Sequence, residues 1–584
     1  MSLCPRWEGE VGGLLVFVSV VVDCSIYCSV EPVKMRFAML PALLSAISLA
    51  TALVVPPYTG TLIKGKQFPS LIEVDLEDLV DGLEEGLFTS VDLVTAYTAR
   101  IREINSTLHM VTELNPDALT IAANADALRQ NGTVLGPLHG IPILIKNNIA
   151  TDDKMNNTAG SFSLVGAKSP DSTMAAKLRK AGAIILGKTN LSQWANYRSN
   201  NSTNGWSAYG GQTQAAYYPG QDPSGSSSGS GVSSSIGLAL ASLGTETSGS
   251  ILSPADVNNL AAIKPTVGLT SRYLVIPISE HQDTIGPMAR SVKDAAYILQ
   301  TIAGPDPNDN YTSAIPNNGS LPDYVGACKY EALRGARIGV ARNVVEIWGA
   351  YTDAPVLAAF EQAISEIEAA GAIIVDANFT AFEQWQTDNN ETLVLNADFL
   401  INLETYFSEL IYNPYNITNL AQLNSFTHAF KAEDYPDRDT AVWDGEQGAL
   451  TQGWDNTDPR FWDAYQANLF YGGEGGILGA LERTNTSAVL LPTQLSPSIP
   501  ALVGSPVVTV PMGFYPANWT VTMNRRRTLV SSGPNVPFGL SFMGAKFSEA
   551  DLIGFAYAYE QRTHHRNDVQ PYIVPNIELA DVIP

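Results

Sequence analysis

Hydrophobic and polar positions follow two different periods along this chain. From Ser90 an apolar stripe runs through Leu93, Val94, Tyr97 and Ile101 at helical spacing, with Ser90 the expected N-cap. Near the far end, Ser548-Glu549-Ala550-Asp551 has the form of a capping box ahead of Leu552, Phe555, Ala556 and Tyr559. Between them lie short unbroken apolar runs, Ile141 to Ile145 closing on Lys146 and Ala183 to Leu186, which read as strands buried on both faces. The small-residue run from Val232 to Ser242 reads as a packed helix, because Ile236, Leu238, Leu240 and Leu243 interrupt its polarity. With helical and strand-like patterns alternating and no repeat, the chain is expected to be an α/β layer architecture. Residues 305–325 and 375–480 are less regular and richer in Asn, Asp, Trp and Tyr, and are expected to be surface insertions or part of a substrate-facing cap.

Composition narrows the function classes. The 584 residues are 45% hydrophobic, enough to bury a large core, so wholesale disorder is excluded. Acidic residues outnumber basic ones 58 to 34, a net charge of −24 that opposes nucleic-acid binding. Leu14 to Val22 is too short to span a bilayer. A second apolar stretch follows Lys34, Met35 and Arg36 and ends in small residues near Ala50-Thr51-Ala52, the form of a signal peptide. The expected organisation is therefore a gene-model extension over 1–34, a signal peptide over 35–52 starting at Met35, and one domain over 53–584. Membrane attachment follows only if that segment stays uncleaved. Cys4, Cys24 and Cys28 precede the expected cleavage point, which leaves Cys328 without an internal partner. Thirteen Asn-x-Ser/Thr sequons favour a secreted, glycosylated product, although Asn190 falls in a run that reads as core. Losing residues 1–52 removes three basic and four acidic residues, so the charge moves only from −24 to −23.

Two motifs match in letters and fail in context. Gly182-Ala-Ile-Ile-Leu-Gly187-Lys188-Thr189 fits the P-loop, but its middle residues favour a strand over a phosphate-cradling loop. Gly225-Ser-Ser-Ser-Gly229 fits the nucleophile elbow of α/β-hydrolases, but Tyr217 to Pro223 ahead of it is no buried strand.

Residues 222–294 carry the chemistry. A Ser/Gly turn, Asp222 to Gly231, and a second one, Gly244-Thr-Glu-Thr-Ser-Gly-Ser-Ile-Leu252, flank one packed element. Such turns bring hydroxyls together and expose the backbone N–H groups that an oxyanion hole requires. With Gly140-Ile-Pro-Ile-Leu-Ile-Lys146-Asn147 upstream and Asp283-Thr-Ile-Gly-Pro-Met-Ala-Arg290 downstream, the sequence resembles the amidase signature family. The likeness runs from about residue 70 to about 565, with its signature core at 139–294, and is strongest toward the peptide-amidase-like and plant-type branch.

That resemblance implies a single large α/β domain whose central mixed β-sheet is covered by helices on both faces. It implies an amidase that uses no cofactor or metal, with Ser250 as nucleophile, Ser226 as a cis-peptide bridging serine and Lys146 as base. The backbone N–H groups of Thr247, Ser248, Gly249 and Ser250 would form the oxyanion hole. The substrate would be a small-molecule or peptide amide, and a homodimer is left open. The physical reading agrees: a lysine activates a serine only when neutral, and the apolar run before Lys146 predicts the burial that makes it so. Asn147, Ser228 and Ser248 depart from the family pattern, and a glycine lost at positive φ would impair the site. Leu252 replaces a common Arg, which weakens the case for carboxylate recognition. Glu246 and Asp283 read either as supports of the site or as packing groups paired with Arg290, and Arg525-Arg526-Arg527 as a solvated loop. Two rival readings are an amide-transfer subunit of an aminoacyl-tRNA amidotransferase and a non-catalytic binding protein on the same scaffold.

Overall fold

The computed structural model describes residues 60–583 apart from 64–65 and 350–351, so the expected extension, signal segment and cleavage point lie outside the described residues. Among the described residues an eleven-stranded mixed sheet carries the fold. In chain order its strands are β1 (Val111–Leu114), β2 (Pro142–Lys146), β3 (Ile184–Thr189), β4 (Ala241–Glu246), β5 (Ala261–Lys264), β6 (Thr284–Ala289), β7 (Arg337–Val340), β8 (Ile373–Asp376), β9 (Ala488–Pro492), β10 (Val507–Phe514) and β11 (Pro537–Met543). Across the sheet the order is β8-β7-β9-β11-β10-β5-β6-β4-β2-β3-β1. β2 pairs in parallel with both β3 and β4, while β6 runs antiparallel to β4 and β5. Every residue of β2, β3, β4, β5 and β6 is buried, as expected for central strands covered on both faces.

Helices flank this sheet. Ser90–Leu108 (α1) buries Leu93, Val94, Tyr97 and Ile101 as its stripe predicts, but its N-cap is Thr89, one residue early. Thr89 takes the extended backbone that a cap needs, and its side chain and that of Asp92 satisfy each other's backbone N–H. The next elements around the Ser/Gly turns are α2 (Ser228–Ser235) and α3 (Leu252–Val257). The expected helix from Val232 to Ser242 is therefore half right. Gly237 turns the chain with φ +64°, and the following apolar residues enter β4, so Leu243 belongs to the sheet. The run that spells a P-loop is strand β3.

The 375–480 span is a series of separate elements. Its first residues finish edge strand β8, its middle forms α4 (Asn390–Ser408) and α5 (Pro459–Gly472), and the helix Ile477–Thr484 packs into a core cluster with β9. The 305–325 span is likewise anchored: buried Asp306 accepts from Ser271 Oγ at 2.5 Å, and Asp309 pairs with Arg272. At the far end, α6 (Glu549–Thr563) starts on schedule but without the capping box. Ser548 Oγ instead donates to Ala545 O at 2.7 Å, and Glu549 turns inward to accept the Thr266 N–H at 2.7 Å. The Arg525–Arg527 run sits at the tip of a two-stranded hairpin, where Arg526 pairs with Asp437 at 2.7 Å.

Asn190 is fully buried, its side chain bonded to Ser207 Oγ and Thr213 Oγ1, which fits its reading as core. Its backbone also fixes where α2 begins, since Gly229 N–H donates to Asn190 O at 3.0 Å. A Cβ on Gly229 would lie 2.2 Å from Met110 O and 2.6 Å from Asn190 N. Both are backbone atoms and neither can swing aside. Gly229→Ala is therefore expected to destabilise the protein by about 1–3 kcal/mol, the usual range for overpacking, read as a lower midpoint in thermal unfolding.

Candidate active site

Lys146 is the last residue of β2, and the parallel neighbour β4 ends beside it at Thr245 and Glu246. Its Nζ is fully buried and lies 2.8 Å from Ser226 Oγ, 2.9 Å from Ser227 Oγ, 2.8 Å from Thr245 Oγ1 and 3.1 Å from Thr245 O. Burial pushes the amine down to about 7, against a weaker upward pull from Asp283 and Glu246. Withdrawal from water thus outweighs two carboxylates, which is the condition for a neutral lysine near neutral pH.

The two serine turns are stitched to the same place by backbone. The Gly225–Ser226 peptide is cis, and Ser226 O accepts the Ser192 N–H at 3.0 Å. Ser227 N–H donates to Ser250 O at 3.1 Å, which fixes the first turn against the second. The structure therefore brings Lys146 and Ser226 into direct contact and sets Ser250 alongside. Ser250 Oγ itself makes no hydrogen bond within the described residues, so the link between the two serines is not closed in this conformation. Such links commonly tighten only when substrate is bound.

The second turn exposes donors. None of the N–H groups of Thr247, Ser248, Gly249 and Ser250 has an acceptor within the described residues, whereas the next two do. Ile251 and Leu252 donate to Glu246 Oε2 at 2.7 and 2.9 Å. Gly249 has φ +84°, the conformation that needs glycine, and the chain keeps one there. Asp283 holds the same turn from the side, accepting from Thr247 Oγ1 at 2.5 Å and from the N–H groups of Ile278 and Ser279 at 2.8 and 3.1 Å. Burial pushes the Asp283 carboxyl up to about 6. Arg290 pairs with neither carboxylate; its guanidinium donates to the carbonyls of Ser234, Ala239 and Val74, which removes the Arg290-paired reading of the two.

The departures from the family pattern sit without strain. Neither Ser228 nor Ser248 has positive φ, so no glycine was needed there. Asn147 is buried, accepts from Thr158 N–H at 2.8 Å and donates to Thr112 Oγ1 at 3.0 Å. Leu252 is enclosed in an apolar cluster with Ile477, Leu491 and Val507. Sequence reasoning missed Ser227 and Thr245 as partners of Lys146. The signal was present, since both stand in the hydroxyl-rich stretches, Thr245 at the end of β4, but nothing in their spacing ranks them.

A cavity of about 260 Å³ opens beside the cluster, meeting it at Asn148, Thr245, Thr247 and Asp283 rather than at Lys146, Ser226 or Ser250 themselves. Its outer wall includes Tyr406 of α4 and the apolar Ile276 and Ile278. Glu280, His281 and Asp398 come together nearby with ligand-type atoms within 4.8 Å of one another. They form a hydrogen-bonded hub: Asp398 takes His281 Nδ1 at 2.8 Å, Ser279 Oγ at 2.6 Å and Asn456 Nδ2 at 3.0 Å.

Comparison with known proteins bears on this site. The amidase family model matches residues 92–444. A protein named "Putative amidase" in Arthroderma benhamiae is 56% identical over 538 residues, covering 88% of this chain and 90% of its own length. The X-ray structure of native peptide amidase from Stenotrophomonas maltophilia matches with a TM-score of 0.74 at 37% identity, covering 86% of this chain and 99% of that one. A glutamyl-tRNA(Gln) amidotransferase subunit of Chloroflexus aurantiacus is 32% identical over 506 residues, 82% of this chain and 95% of its own.

A lysine acting as base must first lose its proton, so with Lys146 as the proposed base the direction of the pH response is fixed. With the Lys146 amine at about 7, kcat/KM is expected to fall about tenfold per pH unit below that value and to level off above it. In Lys146→Arg, whose guanidinium stays charged, this limb disappears and the residual rate drops about 10²–10⁴-fold. Steady-state rates from pH 5 to 9 measure both.

Proposed function

The chain belongs to the amidase family and hydrolyses amide C–N bonds, and on that premise we propose that it works through a Ser250 acyl-enzyme on the terminal carboxamide of peptide-like or small amides. Neutral Lys146 takes the Ser226 proton while Ser226 takes that of Ser250. The Ser250 oxygen then bonds to the carbonyl carbon, and the displaced electron pair settles on the carbonyl oxygen. The N–H groups of Thr247 to Ser250 point their partial charge at that oxygen, worth roughly 3–4 kcal/mol per donor in such sites. Collapse breaks the C–N bond, and the leaving nitrogen recovers the proton through the same relay. Water attacks the ester, again deprotonated through Ser226 and Lys146, and frees the carboxylate.

The observation that carries this reading is the buried Lys146 amine among three hydroxyls, one of them on the cis-peptide serine. The same assembly opposes a non-catalytic scaffold. The likeness to the glutamyl-tRNA(Gln) amidotransferase chain favours a second reading, in which ammonia passes to a separate partner protein. Activity of the isolated chain separates the two. The resemblance to peptide amidase supports the carboxamide substrate. The apolar segment after Met35 and the sequons support a secreted glycoprotein, to be checked by sequencing the N-terminus of the exported chain.

A screen of peptide amides, fatty amides and aryl amides for released ammonia or amine tests the proposal. The wild type is expected to hydrolyse peptide amides, with kcat reduced ~10⁴-fold or more in Ser250→Ala and labelling by serine-directed reagents lost. Wild-type protein that hydrolyses none of these amides would overturn it.

A further inference from the structure

We propose that the cavity beside the catalytic serines selects amides carrying a cationic side chain and rejects anionic ones, with Glu280 and Glu409 as the discriminating residues and Asp283 at the inner end. This rests on the peptide-like substrate reading above.

The charge around the cavity is unbalanced. Glu280, Asp283, Asp309 and Glu409 line it, against a single cation, Arg272. Arg272 is already committed: its Nε donates to Asp309 Oδ2 at 2.8 Å and its Nη2 to Asp309 Oδ1 at 2.6 Å, both side chains largely enclosed. That pair largely cancels; three carboxylates remain without an ion-pair partner among the described residues, Asp283 still within the field of Arg272. Each is held by neutral groups. Asn456 Nδ2 donates to Glu280 Oε1 at 2.8 Å, Tyr273 OH to Glu409 Oε2 at 3.2 Å, and Thr247 Oγ1 to Asp283. Glu409 also caps the C-terminus of α4, where the helix dipole adds negative potential.

A cation entering this space needs to displace no resident cation among the described residues. An anion meets uncompensated carboxylates within a Debye length of about 8 Å at physiological salt. The catalytic lysine does not offset them, because it acts uncharged. Leu252, buried in an apolar cluster, supplies no cation in the place where an Arg is common.

The test compares kcat/KM of the full chain on the Nα-acetyl amides of lysine, leucine and glutamic acid at pH 8, where the Asp283 carboxyl, at about 6, is ionised. The lysine-to-glutamate ratio is expected to exceed about tenfold at low salt and to shrink several-fold in 0.5 M NaCl. In the double variant Glu280→Gln, Glu409→Gln the ratio is expected to fall about tenfold. Because the ratio is internal to each preparation, partial misfolding cancels, and if the variant does not fold the wild-type ratio and its salt dependence decide. Hydrolysis of the leucine amide with a ratio near one overturns this inference and leaves the amidase reading standing. Failure to hydrolyse any of the three overturns the peptide-like substrate reading, and this inference with it.

Discussion

One amine withdrawn from water governs the rest of the site. Lowering a lysine from 10.5 to about 7 represents on the order of 5 kcal/mol of lost preference for the charged form. That cost to folding is full below about pH 7, where the lysine is charged in both states, and vanishes above about 10.5, where it is neutral in both. Burial alone does not single out the base. Lys188 is also fully buried and pushed to about 7, and Lys264 to about 8. Lys188 faces the Ile149 carbonyl and Asn157 Oδ1, and Lys264 faces the carbonyls of Ser505 and Pro265. Carbonyl oxygens only accept, so those two amines serve as donors that tie loops to strands. Lys146 faces hydroxyls, which can give a proton as well as receive a hydrogen bond. That difference in partner chemistry suits Lys146 to the proposed role of base and leaves the other two as structural donors.

The sheet supplies the partners in a way that no single turn could. Parallel pairing of β2 with β4 sets Lys146 beside Thr245, and the antiparallel β6 brings Thr284 opposite Glu246, with Asp283 one residue before it. The chain leaving β4 then has six N–H groups in a row to place. Glu246 takes two of them, at Ile251 and Leu252, and so anchors the start of α3. The four before them stay unengaged. A single carboxylate oxygen thereby marks where structural donors end and donors available to an oxyanion begin, and it does so directly around Ser250.

Much of this was legible in the sequence, and the failures have identifiable causes. Runs buried on both faces announce themselves, so β2 and β3 were readable, and a long motif order identified the family and brought Lys146, Ser226 and Ser250 forward as the residues of the proposed site. The Val232–Ser242 reading failed in its second half because small residues pattern alike in helices and in buried strands. The turn at Gly237 depends on a backbone angle that composition does not encode. Thr89 displaced Ser90 as a cap because reciprocal bonding with Asp92 outweighs a single hydroxyl. Ser548 lost its capping box because Glu549 was drawn into the core by the Thr266 N–H, a contact 283 residues away that no local rule can see. Arg290, in one of two readings the partner of Glu246 or Asp283, bonds three carbonyls instead, for the same reason.

The two carboxylates nearest the site also tie its geometry to its base strength. Asp283 holds Thr247, and Glu246 holds Ile251 and Leu252, while both pull the Lys146 amine upward against burial. A base held far below the working pH is mostly neutral but weak, and one held far above it is strong but mostly protonated, so a value near 7 serves both demands. Deleting either carboxylate would release part of the donor turn and push Lys146 still lower in the same stroke. Glu246 Oε1 is buried with no partner of its own, a cost the fold carries in keeping that charge where it stands. The acidity of the chain as a whole speaks to solubility, whereas these two carboxylates place negative charge beside the proposed base, and Glu280 and Glu409 place it along the neighbouring cavity.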